Sequence, residues 1–257
     1  SIQKNIQASV PVVGDCKISL AHLNRLIEEE GCYEPAEDRS DWLEQIEQWK
    51  QTTPLAYKQE DIIKPQYVID KLYELTEGRA IVTTEVGQNQ MWAAQYYHFD
   101  RPGRFITSGG LGVMGFGLPA AIGAQVGAPG ELVVDIAGDG SIQMNIQEMA
   151  TAMQYNLPVK VVILNNCFLG MVRQWQQLFY EKRYACTKFQ HTPDFVKLAE
   201  AYGAKGFRAK EPGDVEKVLS EGLSHPGPVI MDFVVEQEEC VYPMVPAGAP
   251  IKNMLLV

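Results

Sequence analysis

The chain has 257 residues, 46% hydrophobic and 21% charged, enough for one large or two modest domains of about 100–200 residues each and too apolar for disorder. Lys+Arg 22 against Asp+Glu 32 leaves a net charge of −10, a poor field for nucleic-acid phosphates, so no nucleic-acid partner is expected. No apolar run approaches the ~20 residues of a bilayer-crossing helix, so no membrane partner is expected either.

Residues 8–13 read as a short strand, followed by helices over 18–30 and 38–50 that are divided by Gly31 and Pro35. One edge strand and two helices make little core, so this stretch looks like the end of a domain. A polar connector over 51–64 contains Pro54, and the boundary is placed there, giving segments 1–54 and 55–257. From Pro65 the pattern turns regular. A helix is expected over 65–75, a buried strand over 80–86, a glycine-rich stretch over 109–117 and a small-residue helix over 118–126. Strands over 131–137 and 159–164 are Val/Ile-rich runs, the pattern of parallel strands buried on both faces. A helix over 142–155 lies between them. Helices over 170–180, 192–202 and 213–223 follow, and a strand over 229–235 closes the series. The alternation predicts an α/β fold, a doubly wound, mostly parallel sheet with helices on both faces. In such sheets ligands sit beyond the carboxyl ends of the strands.

Two motifs compete for a ligand. Gly110-Leu111-Gly112-Val113-Met114-Gly115 is a literal G-x-G-x-x-G, with Asp135 lying 135 − 115 = 20 residues further on. A nicotinamide oxidoreductase would put pyrophosphate on the following helix and that acid on a ribose. Asp135, however, falls inside an apolar run rather than at a strand end. The second motif is Gly138-Asp139-Gly140-Ser141, with Asn165-Asn166 placed after residues 141–164, a gap of 24. A right-handed crossover would make the strands before these two loops parallel neighbours, opening both loops at one sheet edge. Asp139 and Asn166 could then offer a carboxylate and an amide oxygen to one Mg²⁺, completed by phosphate oxygens and water. Glycines 138 and 140 would let the backbone approach a diphosphate, with amides near Ser141 facing it. A β-turn beside a chance Asn pair is the plain structural alternative.

The spacing GDG-x24-NN resembles the thiamine-diphosphate motif, and its surroundings resemble the large catalytic subunit of acetohydroxyacid synthase (acetolactate synthase). The likeness extends over EVGQNQMW (85–92), SGGLGVMGFGLPAAIG (108–123), GDGSIQMNIQE (138–148), NNCFLGMVRQW (165–175) and PMVPAG (243–248). It implies Mg²⁺ held by Asp139, Asn166 and the main-chain oxygen of Phe168. It further implies thiamine diphosphate bound by Val86, Gly87, Gln88, Asn89, Gly138, Gly140 and Ser141 and surrounded by Met144, Leu169, Gly170 and Met171. Gly112 and Met114 would meet the aminopyrimidine, with Met114 as the wedge that bends the cofactor. The family often has His where this chain has Asn89. Met171, Val172, Trp175 and Phe179 fall on one helical face, which spacing alone reads as core; the resemblance makes it a substrate channel. Trp175 with Gln174 resembles the biosynthetic, FAD-containing enzyme. The Pro/Gly-rich tail, 242–251, would fold over the site as a lid.

The resemblance implies a transferase reaction. Pyruvate loses carbon dioxide, and its two-carbon remnant joins a second 2-oxo acid to give acetolactate or acetohydroxybutyrate, a step of branched-chain amino acid synthesis. The family's glutamate for the cofactor pyrimidine comes from an N-terminal domain that this chain does not match. Residues 1–54 resemble the end of its FAD-binding middle domain, so FAD belongs to the complete enzyme. The chain is therefore expected to be inactive alone and to need an N-terminal half, with a regulatory subunit as a further partner. Met91, Trp92, Met114 and Phe116 are expected to lack cover, which favours a homodimer or higher oligomer. A non-catalytic thiamine-diphosphate or partner-binding module, and another thiamine-diphosphate decarboxylase or oxidase, remain open as alternatives.

Other features carry less. Cys16, Cys32, Cys167, Cys186 and Cys240 are odd in number and form no C-x-x-C pair, which argues against a disulfide framework or zinc and for a reducing, cytoplasmic location. The chain opens on Ser1 without an apolar signal core, as expected for a piece cut from something longer. His22, His98, His191 and His225 are scattered, and Glu28-Glu29-Glu30 reads as a solvated helix end.

Overall fold

A computed structural model of the chain describes residues 2–3, 7–31 and 39–256. The chain divides into two units, Ser1–Ala56 and Tyr57–Val257, against an expected boundary at 54/55. Cys32, Pro35 and Asp38, which enter the sequence reading as a thiol, a helix break and a helix start, lie outside the described residues.

The first unit carries two helices, α1 (Cys16–Glu29) and α2 (Ser40–Thr52). Asp15 caps α1, its carboxylate accepting from the Ile18 amide at 3.1 Å, which satisfies one donor that a helix start leaves open. Neither helix has a buried residue. The strand expected over residues 8–13 does not form, and Val10, Val12 and Val13 are exposed. A strand exists only with a ladder partner, and none of the described residues of this unit pairs in a ladder.

In the second unit, α3 (Pro65–Thr76) starts on the proline that fixes its first turn. Then come β1 (Ile81–Thr84), α4 (Gln88–Tyr96), β2 (Phe105–Thr107), α5 (Gly117–Gly127), β3 (Val133–Gly138) and α6 (Met149–Gln154). The series ends with β4 (Lys160–Asn165), α7 (Gly170–Phe179), α8 (Phe195–Tyr202), β5 (Lys205–Ala209), α9 (Val215–Ser224) and β6 (Val229–Val234). The six strands form one sheet in the order β2-β1-β3-β4-β6-β5, and every pairing is parallel.

Both faces of the sheet are covered, which is why β3 and β4 read as continuous apolar runs. On β4, Val162 and Leu164 enter the cluster built with α3, α4 and α9, while Val161 and Ile163 enter the one built with α5, α6 and α8. That two-residue alternation is the strand period itself.

The expected single helix over 142–155 is broken. Two 3₁₀ turns, Ile142–Met144 and Ile146–Glu148, precede the short α6. The break falls at Asn145, which leaves helical geometry at φ −137° and donates its side-chain amide to the Gly115 carbonyl. The elements without a sequence expectation are α4, β2 and β5; the last two are the edge strands.

Candidate functional site

Parallel strands β1, β3 and β4 are consecutive in the sheet, so the loops after them emerge side by side at its carboxyl edge. These loops are residues 85–87, 139–141 and 166–169. They bound a cleft with the starts of α4 and α7.

The cleft brings together Val86, Gly87, Gln88, Asn89, Met114, Gly138, Asp139, Gly140, Ser141, Asn166, Phe168, Leu169, Gly170 and Met171. Gly112 and Met144 do not line it. Gly112 adopts φ +66°, a left-handed conformation that glycine tolerates without strain, and stands beside Val86. Met144 is exposed and adjoins Gly115. Trp92, Leu164 and Val172 also line the cleft, and of these the sequence reading assigned only Val172, to the channel.

The chemistry centres on Asp139. It is 1% exposed, and neither carboxylate oxygen has a hydrogen-bond partner. Burial pushes its pKa up to about 7, with a further push from the Asp232 carboxylate. The amides of Asn166 and Cys167 lie close enough to oppose that rise but close no bond to it. A buried carboxylate without a partner is costly, and a divalent cation is the partner that would remove the cost. Asn166 stands in the adjacent loop, its Oδ1 accepting from the Phe168 amide at 3.0 Å. Among the described residues no three His, Cys, Asp or Glu side chains converge. A cation at Asp139 would therefore take its remaining ligands from amide and main-chain oxygens, from water and from a phosphorylated ligand, the set that suits Mg²⁺. The residues present fit the group the motif implies.

The glycines are explained by close approach. A Cβ on Gly170 would stand 2.0 Å from the Gln88 Oε1, and one on Gly140 2.9 Å from Leu169. Asn89 departs from expectation. Its Nδ2 donates to the Glu85 carbonyl at 3.0 Å and to the Ile136 carbonyl at 2.9 Å. Both amide protons tie the ends of β1 and β3 together, so no side-chain donor is left for a phosphate oxygen.

The competing G-x-G-x-x-G reading fails on geometry. The amides it would offer to a pyrophosphate, at the start of α5, are already engaged by Glu85. Its buried carboxylate accepts from Gly115 N at 2.6 Å and Leu118 N at 3.1 Å. Burial raises the Glu85 pKa and these amides pull it back. Asp135 lies within β3, fully buried and accepting from Thr83 Oγ1 at 3.1 Å, where no ribose reaches it. Burial, with Glu85 beside it, holds its carboxyl well above the usual range.

Further along α7, Met171, Val172 and Trp175 line an open groove with Gln176, Tyr180 and Arg183. Phe179 is not part of that lining but packs edge-on against Trp175, with ring centroids 6.0 Å apart. Of the four side chains expected to lack cover, Trp92 is 2% exposed, because it lies on the inner side of α4 in the core cluster. Met91 is exposed as expected, Met114 and Phe116 are half-buried, and the neighbouring Leu111, Val113 and Met144 are exposed as well.

The segment leading into the tail is held at residues 238–242. Glu239 meets Lys64 and Gln66, Arg173 meets Glu238, and Gln95 donates to the Tyr242 carbonyl. Gln174 is fully buried and pairs with the Val241 peptide in both directions. No local pattern marks Glu85 or Gln174, polar side chains whose partners lie 30 to 86 residues away.

The family model described as "Thiamine pyrophosphate enzyme, C-terminal TPP binding domain" matches residues 85–233. Among curated proteins the chain is 49% identical over 260 residues to acetolactate synthase isozyme 3 large subunit of Escherichia coli, covering all of this chain and 45% of that protein. It is 46% identical over 261 residues to the mitochondrial acetolactate synthase catalytic subunit of Saccharomyces cerevisiae, covering 99% of this chain and 37% of that protein. The identity with the chloroplastic acetolactate synthase 1 of Oryza sativa is 45%, across 99% of this chain and 41% of that protein. The chain thus spans less than half the length of these relatives. With more than half of its residues inside the family match, including all three loops of the cleft, the chain belongs to the thiamine pyrophosphate enzymes and carries their C-terminal TPP-binding domain.

Proposed function

We propose that the chain is the cofactor-binding portion of an acetolactate synthase catalytic subunit, holding thiamine diphosphate through Mg²⁺ on Asp139, Asn166 and the Phe168 carbonyl. The observation that carries this reading is the buried, unpartnered carboxylate of Asp139 at the mouth of two adjacent parallel strands. When bound, the cofactor would supply the electron sink that lets pyruvate lose carbon dioxide and its remnant join a second 2-oxo acid. The protein's part is to anchor, orient and exclude water. Asp139 and Asn166 fix the diphosphate end, Met114 and the Gly112 turn support the ring end, and Met171, Val172 and Trp175 border the approach for the 2-oxo acids.

Among the side chains lining the cleft, Asp139 is the one titratable group. Among the described residues lining the cleft no second acid or base stands beside that carboxylate, so turnover is expected to need a group from another domain or chain. A homo-oligomer, an N-terminal half that brings FAD, and a regulatory subunit belong to this proposal. So do residues 1–54 as the end of the FAD-type domain, and a cytoplasmic location read from the unpaired thiols. Among the described residues no helix is long and apolar enough to cross a membrane.

Calorimetry tests the reading. Thiamine diphosphate is expected to bind only with Mg²⁺ present, and Asp139→Ala to abolish binding. The isolated chain is expected to make no acetolactate from pyruvate until an N-terminal portion is supplied. Cofactor binding that survives Asp139→Ala, or NADH binding in its place, would overturn it.

A further inference from the structure

From the described contacts we infer that Gln174 is a positioning residue for the cation ligand Asn166, acting through Gln88, so that attachment of the tail and cation affinity are coupled. The inference rests on the reading of Asn166 as a cation ligand. Four polar groups form one continuous line. Asn166 Nδ2 donates to Gln88 Oε1 at 3.3 Å, and Gln88 Nε2 donates to Gln174 Oε1 at 2.8 Å and to the Glu239 carbonyl at 2.9 Å. Gln174 Nε2 in turn donates to the Val241 carbonyl at 2.9 Å, while the Val241 amide donates back to Gln174 Oε1 at 2.8 Å.

An amide has two distinguishable ends. Gln174 accepts from Gln88 Nε2, which leaves Gln88 to present its oxygen to Asn166. That oxygen claims the Asn166 NH₂ and turns Asn166 Oδ1 towards the Phe168 amide and the loop that faces Asp139. Without Gln174, only the Glu239 carbonyl and the Asn166 amide would hold Gln88 in this sense, and the Phe168 N–H would be left as the main restraint on Asn166 Oδ1. The absence of a Cβ at Gly170 leaves the room that Gln88 Oε1 occupies. Loss of a partner that orients a metal ligand costs roughly 10–100-fold in metal affinity.

The test is amide hydrogen exchange on the full 257-residue chain without ligand. Gln174→Met should speed exchange at Val241 and, through Gln88, at Phe168 by about 10-fold or more, the size of an ordinary coupling energy. Gln95→Leu, which removes a different tail contact, should loosen residues 241–244 and leave Phe168 unchanged. In calorimetry at graded Mg²⁺, Gln174→Met should raise the Mg²⁺ needed for half-saturation with thiamine diphosphate by ~10-fold. Gln174→Glu, which keeps the acceptor for Gln88, should largely restore it. By reciprocity, Mg²⁺ with thiamine diphosphate should slow exchange of residues 239–244 in the unaltered chain, a measurement that needs no variant.

If Gln174→Met loosens the tail while Phe168 exchange stays the same, or if the tail ignores the bound cofactor, Gln174 is a tail clamp and the inference fails. If the unaltered chain binds no thiamine diphosphate, the proposed function fails, and the ligand-free exchange at Phe168 still decides the coupling.

Discussion

At Asp139 the fold holds a carboxylate that it does not satisfy, and the consequence is measurable without any ligand. Its folded pKa of about 7 stands above the ordinary 3.8. A group whose folded pKa is raised contributes most below the unfolded value, and that contribution is lost as pH rises through the folded value. The cation-free chain should therefore lose stability between about pH 4 and 7 through this residue. Asp139→Asn removes the charge, so it should stabilise the cation-free chain at pH 8 by on the order of 1–3 kcal/mol, the cost of an unsatisfied buried group. The gain should shrink towards pH 5, and cofactor binding should be lost in the same variant. Chemical denaturation at the two pH values reads this directly; a variant less stable than the parent at pH 8 would contradict it. Asp139 and Asn166 were legible in the sequence because two strand ends and a 24-residue crossover fix their neighbourhood from spacing alone. Glu85, Asn89 and Gln174 were not, since their work is done on backbone groups brought near only by the closed sheet.

Among the elements, α5 shows how the glycine-rich stretch serves the site. Gly117 packs so tightly on the strand ends that an added Cβ would lie 2.5 Å from the Glu85 nitrogen and 2.7 Å from the Thr84 carbonyl carbon. Backbone cannot yield as a side chain can, so Gly117→Ala should cost about 3 kcal/mol or more, at or beyond the upper end of overpacking penalties. It should also release the Gly115 and Leu118 amides from Glu85. Gly123 lies in the same helix on an exposed side with no atom near its added Cβ. There Gly→Ala should stabilise by ~0.5–1 kcal/mol through helix propensity. Equal effects at the two positions would show that close packing is not what requires glycine. Sequence pattern found β3, β4 and β6 because strands covered on both sides read as predominantly apolar runs. It missed β5, where Gly206 leaves space for the Val196 backbone and charged residues mark an edge. It missed α4 too, since that helix buries Gln88 and Asn89 as well as Trp92 and so presents no single apolar stripe.

For the molecule as a whole, both apolar clusters are made of residues from Tyr57 onward, and the two helices of the first unit bury nothing. Hydrophobic burial scales with the apolar area removed from water, so the apolar core that holds the sheet domain is supplied from Tyr57 onward. A chain that begins at Tyr57 should unfold cooperatively, with a thermal midpoint within ~2–4 °C of the full chain, which for a domain of this size corresponds to about 1 kcal/mol. It should bind Mg²⁺ and thiamine diphosphate as the full chain does, since every residue of the cleft lies in 86–172. It should also be less prone to associate. Ile18, Leu20 and Leu23 on α1 and Trp42 and Trp49 on α2 are all more than half exposed, and apolar surface of that kind drives association. Sedimentation and thermal scans of the two chains side by side decide the matter. A large fall in midpoint would mean that the first unit supports the second, and that the chain unfolds as one cooperative body rather than as a cofactor domain carrying an appendage.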